Sequence, residues 1–150
     1  MHRIGIEVLE RSARGGTWWY DLDSGEIFWS NGMYRLFGVQ RGVYTPDIDS
    51  ALSFYTPESR ELLLAAVERA RKAGDGYSLT VEMCRADGKR RYVQTIGQAE
   101  MREGKAPLLA GAVLDVHEQT RARNLRQARE RRLLAETRRW RTACENAGLG

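Results

Sequence analysis

The sequence predicts an α+β domain: a five-stranded antiparallel sheet with helices inserted between the second and third strands. Three observations carry that prediction. From Leu79, apolar and polar residues alternate on either side of the turn Asp87-Gly88, and a second turn, Glu103-Gly104-Lys105, leads into a nearly unbroken apolar run, Leu108 to Val116, as in a three-stranded meander. Thr17–Leu22 (T-W-W-Y-D-L) and Glu26–Trp29 flank Asp23-Ser24-Gly25, and both are rich in residues that suit a pleated surface. Between the hairpins, residues 57–72 place Leu63, Ala66, Val67 and Ala70 on one helical face. Glu61, Glu68, Arg69 and Lys72 fall on the other.

The elements follow in order. Residues 3–13 have helical spacing, with Ile4, Val8 and Leu9 on one side, and Arg14-Gly15-Gly16 stops them. The first hairpin begins at Thr17. Ser30 is placed as the N-cap of a short helix over Asn31–Phe37, and Gly38 follows at the C′ position. Residues 39–54 read as loop around Pro46, with Asp47-Ile48-Asp49-Ser50 able to open another short helix. Thr56 caps the longer helix, with Pro57 at its first position, and Ala73-Gly74-Asp75-Gly76 ends it. Beyond the meander, His117 to Asn146 contains neither proline nor glycine, so one long helix is expected.

Composition narrows the class. An apolar share of 42% in 150 residues is that of one folded domain with an extension. No stretch approaches the roughly 18–20 apolar residues that a membrane span needs, and a secretory leader is not evident. Cys84 and Cys144 are too far apart for metal-ligand spacing, so neither a metal site nor a disulfide is expected, and a reducing cytoplasm fits best. The net charge of +4 is unevenly spread: Arg121–Glu145 holds nine arginines against three glutamates, leaving the rest slightly acidic. Cations gathered on one helix are not the spread-out footprint of a nucleic-acid surface. That helix also lacks the broad apolar face of a membrane-surface helix. Neither nucleic acid nor membrane insertion is expected.

The residues together resemble a PAS domain of the type whose first strand reads G-x-W-x-W-D. Gly16-Thr17-Trp18-Trp19-Tyr20-Asp21 is similar to that strand, and Asp23 to Ser30 resembles the family's D-x-x-G-x-x-x-W-S. Leu36-Phe37-Gly38 matches L-[FL]-G, and Tyr55-Thr56-Pro57-Glu58-Ser59-Arg60 stands where H-P-D-D-R is common. Asp87-Gly88 with Arg91-Tyr92-Val93 resembles D-G-x-x-R-W-V, and Gly111 to Asp115 resembles the closing G-x-x-x-D. Tyr55 replaces the usual histidine, Tyr20 the second tryptophan, and His117 the threonine of D-[IV]-T. The resemblance divides the chain into an N-terminal cap helix (1–15), a PAS domain (16–116) and a signalling helix (117–146). Cys144–Gly150 echoes Leu9–Gly15, so residues 147–150 are expected to begin a second PAS domain.

What the resemblance implies is a sensory, dimerising module that relays a ligand- or partner-induced change to a downstream effector in the same polypeptide. A histidine kinase or a cyclic-di-GMP enzyme would be such an effector. The alternative is a ligand-free scaffold that sets the geometry of its neighbours. Catalysis by this segment is not expected: neither His2 nor His117 has a nucleophile and orienting acid beside it in sequence. Flavin-photoreactive relatives carry N-C-R-F-L-Q where this chain reads Asp49 to Tyr55, without the thiol. Haem-binding relatives take a histidine from the longer helix, which here has none. No obligatory cofactor follows, although non-covalent flavin or a Met33 or Met83 haem ligand stays open.

In such domains a ligand sits between sheet and helices. Its expected lining is Trp18, Tyr20, Trp29, Met33, Phe37, Leu63, Val67, Met83, Val93 and Thr95, with Ala112 and Leu114 from the last strand. Their bulk favours a filled core over a cavity; if a ligand binds, it is small and apolar or aromatic. Trp19, on the opposite face, is expected under the cap helix through Ile4, Val8 and Leu9, or at a homodimer contact. Leu125, Leu133, Thr137, Trp140 and Cys144 step along the long helix at coiled-coil spacing, interrupted by Arg129. Leu125, Leu133 and Trp140 are its interface residues, and Asp115, Val116 and His117 the relay. Cys84 reads as a small apolar filler.

Overall fold

The computed structural model describes residues 2–148, with side chains from residue 6 onward. It has the α+β architecture expected, with a five-stranded antiparallel sheet, an N-terminal helix and a long C-terminal helix. The elements are α1 (His2–Ala13), β1 (Gly15–Asp21), β2 (Ile27–Trp29), α2 (Asn31–Phe37), α3 (Ile48–Ser53), α4 (Pro57–Ala73), β3 (Tyr77–Cys84), β4 (Arg90–Arg102), β5 (Lys105–Asp115) and α5 (His117–Asn146). The sheet order is β2-β1-β5-β4-β3. The last strand therefore closes the middle, between the first hairpin and the meander. Packing divides the chain at Val116, with α5 in a unit of its own.

Local chemistry sets the helix ends. The Asp47 carboxylate accepts the Ser50 backbone N–H at 2.9 Å while the Ser50 hydroxyl faces the Asp47 amide, a reciprocal cap that starts α3. Thr56 Oγ1 accepts from the Ser59 amide ahead of Pro57, starting α4. Gly38 ends α2 at φ +75°, the left-handed conformation glycine adopts without penalty. Ser30 holds the N-cap position of α2, but its side chain makes no capping hydrogen bond. Its hydroxyl accepts the Thr17 amide at 2.9 Å and donates to the buried Glu10 carboxylate, joining α1 to β1.

One expected boundary is corrected. Gly15 and Gly16 do not merely stop α1; they belong to β1, paired with Leu114 and Val113. A methyl group on Gly32 would sit 2.0 Å from the Gly15 carbonyl oxygen, and one on Gly16 would sit 2.2 Å from the Met33 amide nitrogen. These glycines let α2 lie directly on β1. They are contact glycines, not only breakers.

The core lies between one sheet face and α2–α4. Trp29 stacks on Phe37 at 4.8 Å and meets Tyr34 and Tyr44 at 5.6 and 5.4 Å. Such ring pairs contribute about 0.5–1.5 kcal/mol each beyond their buried area. At the far end, Arg102 grips the first hairpin, donating to Asp21 at 2.7 and 3.2 Å and to the Ala106 carbonyl. The Arg102 hydrogen bond, with help from the Asp23 amide, holds the Asp21 carboxyl well below the usual carboxylate range.

The second unit is one 30-residue helix without a buried residue. Leu125, Leu133, Leu134 and Trp140 are all exposed, Trp140 to 71%. After it, Ala147 and Gly148 form a turn. Of the stretch expected to begin a second domain, 149–150 lie outside the described residues.

Candidate functional site

Alternation along β1 points Trp18, Tyr20 and Leu22 to the helix side of the sheet and Trp19 to the other. Trp18 and Tyr20 line a cavity of about 250 Å³. Its floor is completed by Thr95, Leu109 and Val113 from the central strands and Tyr77 from β3. Helix residues close it: Met33 and Phe37 from α2, Ile48, Ala51 and Leu52 from α3, and Leu63, Leu64 and Val67 from α4. Trp29 and Tyr55 fill the remaining wall. The expectation that bulky rings would leave no space is thereby corrected. The rings stand around the space rather than in it, because Trp18 lies beside Gly111 in the sheet, and Gly97 follows.

Four residues expected in the lining sit elsewhere. Met83 and Val93 are fully buried but belong to the neighbouring packed core, where Met83 forms a bridge with Tyr55. Ala112 and Leu114 point to the opposite sheet face; β5 presents Leu109 and Val113 inward instead. The apolar run from Leu108 to Val116 covers both faces, so alternation could not give its phase. Ile48, Ala51 and Leu52 were not expected either, although the Asp47 cap that orients them was legible.

The walls are apolar with few polar groups. Burial, then the neighbouring Tyr77, pushes the Tyr55 phenol up. Burial pushes Tyr77 up to about 12, against a weaker opposing hydrogen bond with Thr95. Both phenols are therefore neutral at physiological pH and able to donate. At the rim, Arg71 donates to Glu68 at 3.0 and 2.5 Å, and this pairing lowers Glu68 to about 2. The cavity thus has a charged lip and an uncharged interior.

The cofactor chemistry of the lining can be stated by residue. Among the described residues no cysteine, histidine, asparagine or glutamine lines the cavity. Cys84 is on the other face of β3 from Met83, and its amide donates to the Phe54 carbonyl at 2.7 Å. The lining therefore does not fit a cysteinyl–flavin adduct. It also offers no imidazole for haem, though Met33 does reach it. Among the described residues no cluster of potential metal ligands occurs, and no described helix is long and apolar enough to cross a membrane.

On the reverse face, Trp19 stacks on Phe28 at 5.8 Å with an interplanar angle of 15°. Of the cap-helix residues expected beside it, Val8 and Leu9 are exposed to 58% and 69%. The side chain of Ile4 lies outside the described residues. Leu125, Leu133 and Trp140 share α5, 57–71% exposed. At the end of β5, Asp115 accepts from Arg91 at 3.0 and 3.2 Å, and its amide donates to the Arg14 carbonyl. The Val116 amide donates to the Tyr92 carbonyl at 3.0 Å, and His117 opens α5.

Comparison with known proteins gives a consistent picture. A family model described as the PAS fold matches residues 26–113. A blue-light-activated histidine kinase of Brucella anthropi is 28% identical over 121 residues, spanning 78% of this chain but only 23% of that protein. Among solved structures, a sensory box histidine kinase/response regulator from Burkholderia thailandensis superposes with a TM-score of 0.72 at 21% identity. That match covers 86% of this chain and 97% of the other. The N-terminal domain of a diguanylate cyclase with PAS/PAC sensor from Marinobacter aquaeolei gives 0.62 at 13% identity, over 71% and 98%.

Proposed function

The chain belongs to the PAS-fold family, and from that membership we propose that it is a sensory module, not itself catalytic, of a larger cytoplasmic signalling protein. The observation that carries this reading is the aromatic cavity between sheet and helices. Its apolar interior and neutral phenol donors suit a small aromatic molecule with one or two polar groups. The occupant biases the sheet, and Asp115-Val116-His117 passes that bias to α5. Because the chain spans 23% of the kinase it matches, the effector is an expectation from relatives: a histidine kinase or a cyclic-di-GMP enzyme in the same polypeptide.

Hydrogen exchange with and without saturating indole tests the relay. Indole is expected to slow exchange in β1 and β5 and to change protection in the first turns of α5 by at least threefold. Protection of β1 with no change anywhere in α5 would remove the relay.

The same proposal makes α5 the contact with a second copy of the chain. Leu125, Leu133 and Trp140 repeat at coiled-coil spacing, and nothing in their own unit buries them. Arg129 within the seam keeps the pairing marginal, as a switchable helix requires. Leu133→Asp is expected to weaken self-association at least tenfold in sedimentation, without changing the thermal midpoint of the sheet domain. An unchanged association constant would place the dimer contact elsewhere.

A further inference from the structure

A second concavity, separate from the aromatic cavity, opens where α1, α2 and the β3–β4 hairpin meet the start of β1 and the end of β5. It holds about 400 Å³ and is lined by Arg11, Arg14, Arg35, Arg85, Lys89 and Arg91. Only two carboxylates line it, Glu10 and Asp115. Both are engaged: Glu10 by the Ser30 hydroxyl, Asp115 by Arg91. Just outside, Glu7 lies 3.9 Å from Arg11 and 3.6 Å from Arg35, and Asp87 lies 3.6 Å from Arg85. Among the described residues, the side chains of Arg14 and Lys89 have no acidic partner.

Four features make this more than a solvated charged surface. The cations come from α1 and the residue after it, α2, the β3–β4 turn and β4, yet converge on one groove, so their fields add within low-dielectric walls. Arg85 Nε is shielded from solvent and has no acceptor within hydrogen-bond distance; the Asp87 carboxylate it faces stays 3.6 Å away. A buried donor of this kind is unfavourable until an acceptor arrives. Arg14 holds φ at +53°, the only described non-glycine residue with positive φ, at a helix end where glycine is the less strained choice. The chain carries a long cation there nonetheless. The floor is Gly15 and Gly32, which leaves backbone rather than side chain beneath a ligand.

We propose that this groove binds a small molecule bearing at least two phosphate groups, such as pyrophosphate or a nucleoside polyphosphate. Guanidinium forks match phosphate oxygens in pairs, and several of them on different elements suit a ligand with several anionic centres. Such a ligand competes with Asp115 for Arg91, so its binding acts on the end of β5. This is a different site from the aromatic cavity and does not depend on that cavity being filled.

Calorimetric titration of the full chain with pyrophosphate is the test. Saturable one-to-one binding is expected at low salt, weakening at least tenfold in 0.3 M salt. Lys89→Gln and Arg14→Gly should each reduce affinity at least fivefold. Arg14→Gly should do so without lowering the thermal midpoint, since glycine suits that φ, which separates loss of the site from loss of the fold. The double change Arg131→Gln with Arg132→Gln, on α5, should leave affinity unchanged. The proposal is overturned by absent saturation, by an equal loss from the α5 change, or by tighter binding of a polyglutamate peptide than of pyrophosphate.

Discussion

Gly111→Ala is expected to destabilise the domain by about 3 kcal/mol or more, the upper end of overpacking and a large part of a typical stability of about 5–15 kcal/mol. The added methyl would stand 1.8 Å from the Ile96 carbonyl oxygen, 2.8 Å from its carbon and 2.9 Å from the Gly97 Cα. All three atoms are backbone of β4, so no side chain can swing aside. Gly111 is not among the positive-φ glycines, so alanine meets no dihedral penalty there and the cost is steric. Relief requires β4 and β5 to separate at the centre of the sheet, where Gly97 opposes Gly111.

Gly104→Ala is the matched control. Gly104 has φ +71° and open space around its Cβ position, so only the left-handed strain remains, about 1–2 kcal/mol. Urea midpoints for the two variants should therefore differ clearly at similar m-values. Equal midpoints would show that the two central strands have room to spare. The close approach also bears on the site. The Tyr77 ring lies over Gly97, where a methyl group would meet its Cζ at 2.4 Å. The glycine pair thus makes the sheet thin under the cavity and lets Tyr77 fold across it.

How much of this was legible in the sequence depended on how far apart the interacting residues are. Turn dipeptides, caps and period-2 alternation act over a few residues, and they revealed the sheet, α2, α4 and α5 with little error. Gly15-Gly16 misled because glycine both breaks helices and admits close contact, and Gly32, its partner, is sixteen residues away. The inward phase of β5 was hidden by Leu108, Ala110, Ala112 and Leu114 being as apolar as Leu109 and Val113. Position on α1 was misjudged because spacing marks an apolar stripe on a helix but cannot say that it is covered. Val8 and Leu9 form such a stripe, yet among the described side chains of α1 Glu10 is the buried one. The cationic groove was invisible for a similar reason. Its six basic side chains span positions 11 to 91 among acidic neighbours, and a charge count along the chain averages them away.

Ala51→Phe is expected to weaken indole binding at least tenfold, read as loss of saturable heat in calorimetric titration, while the domain stays folded. Ala51 is buried on α3 and faces the cavity alongside Ile48 and Leu52. A phenyl ring from that position enters an apolar space and meets Phe37, Tyr55 and Trp29 rather than backbone. Filling a cavity in this way commonly adds about 0.5–2 kcal/mol of stability, so the thermal midpoint should hold or rise. The pairing of a lost ligand with an undiminished fold is what distinguishes a binding site from a packing defect. Normal indole affinity in the variant would place the ligand elsewhere. The substitution also separates the two ways such a module could serve a larger protein. If the cavity senses, the filled variant fixes the output of the whole polypeptide at one level, whatever ligand is supplied. If the domain only spaces its neighbours, output is untouched by Ala51→Phe and falls only with Leu133→Asp.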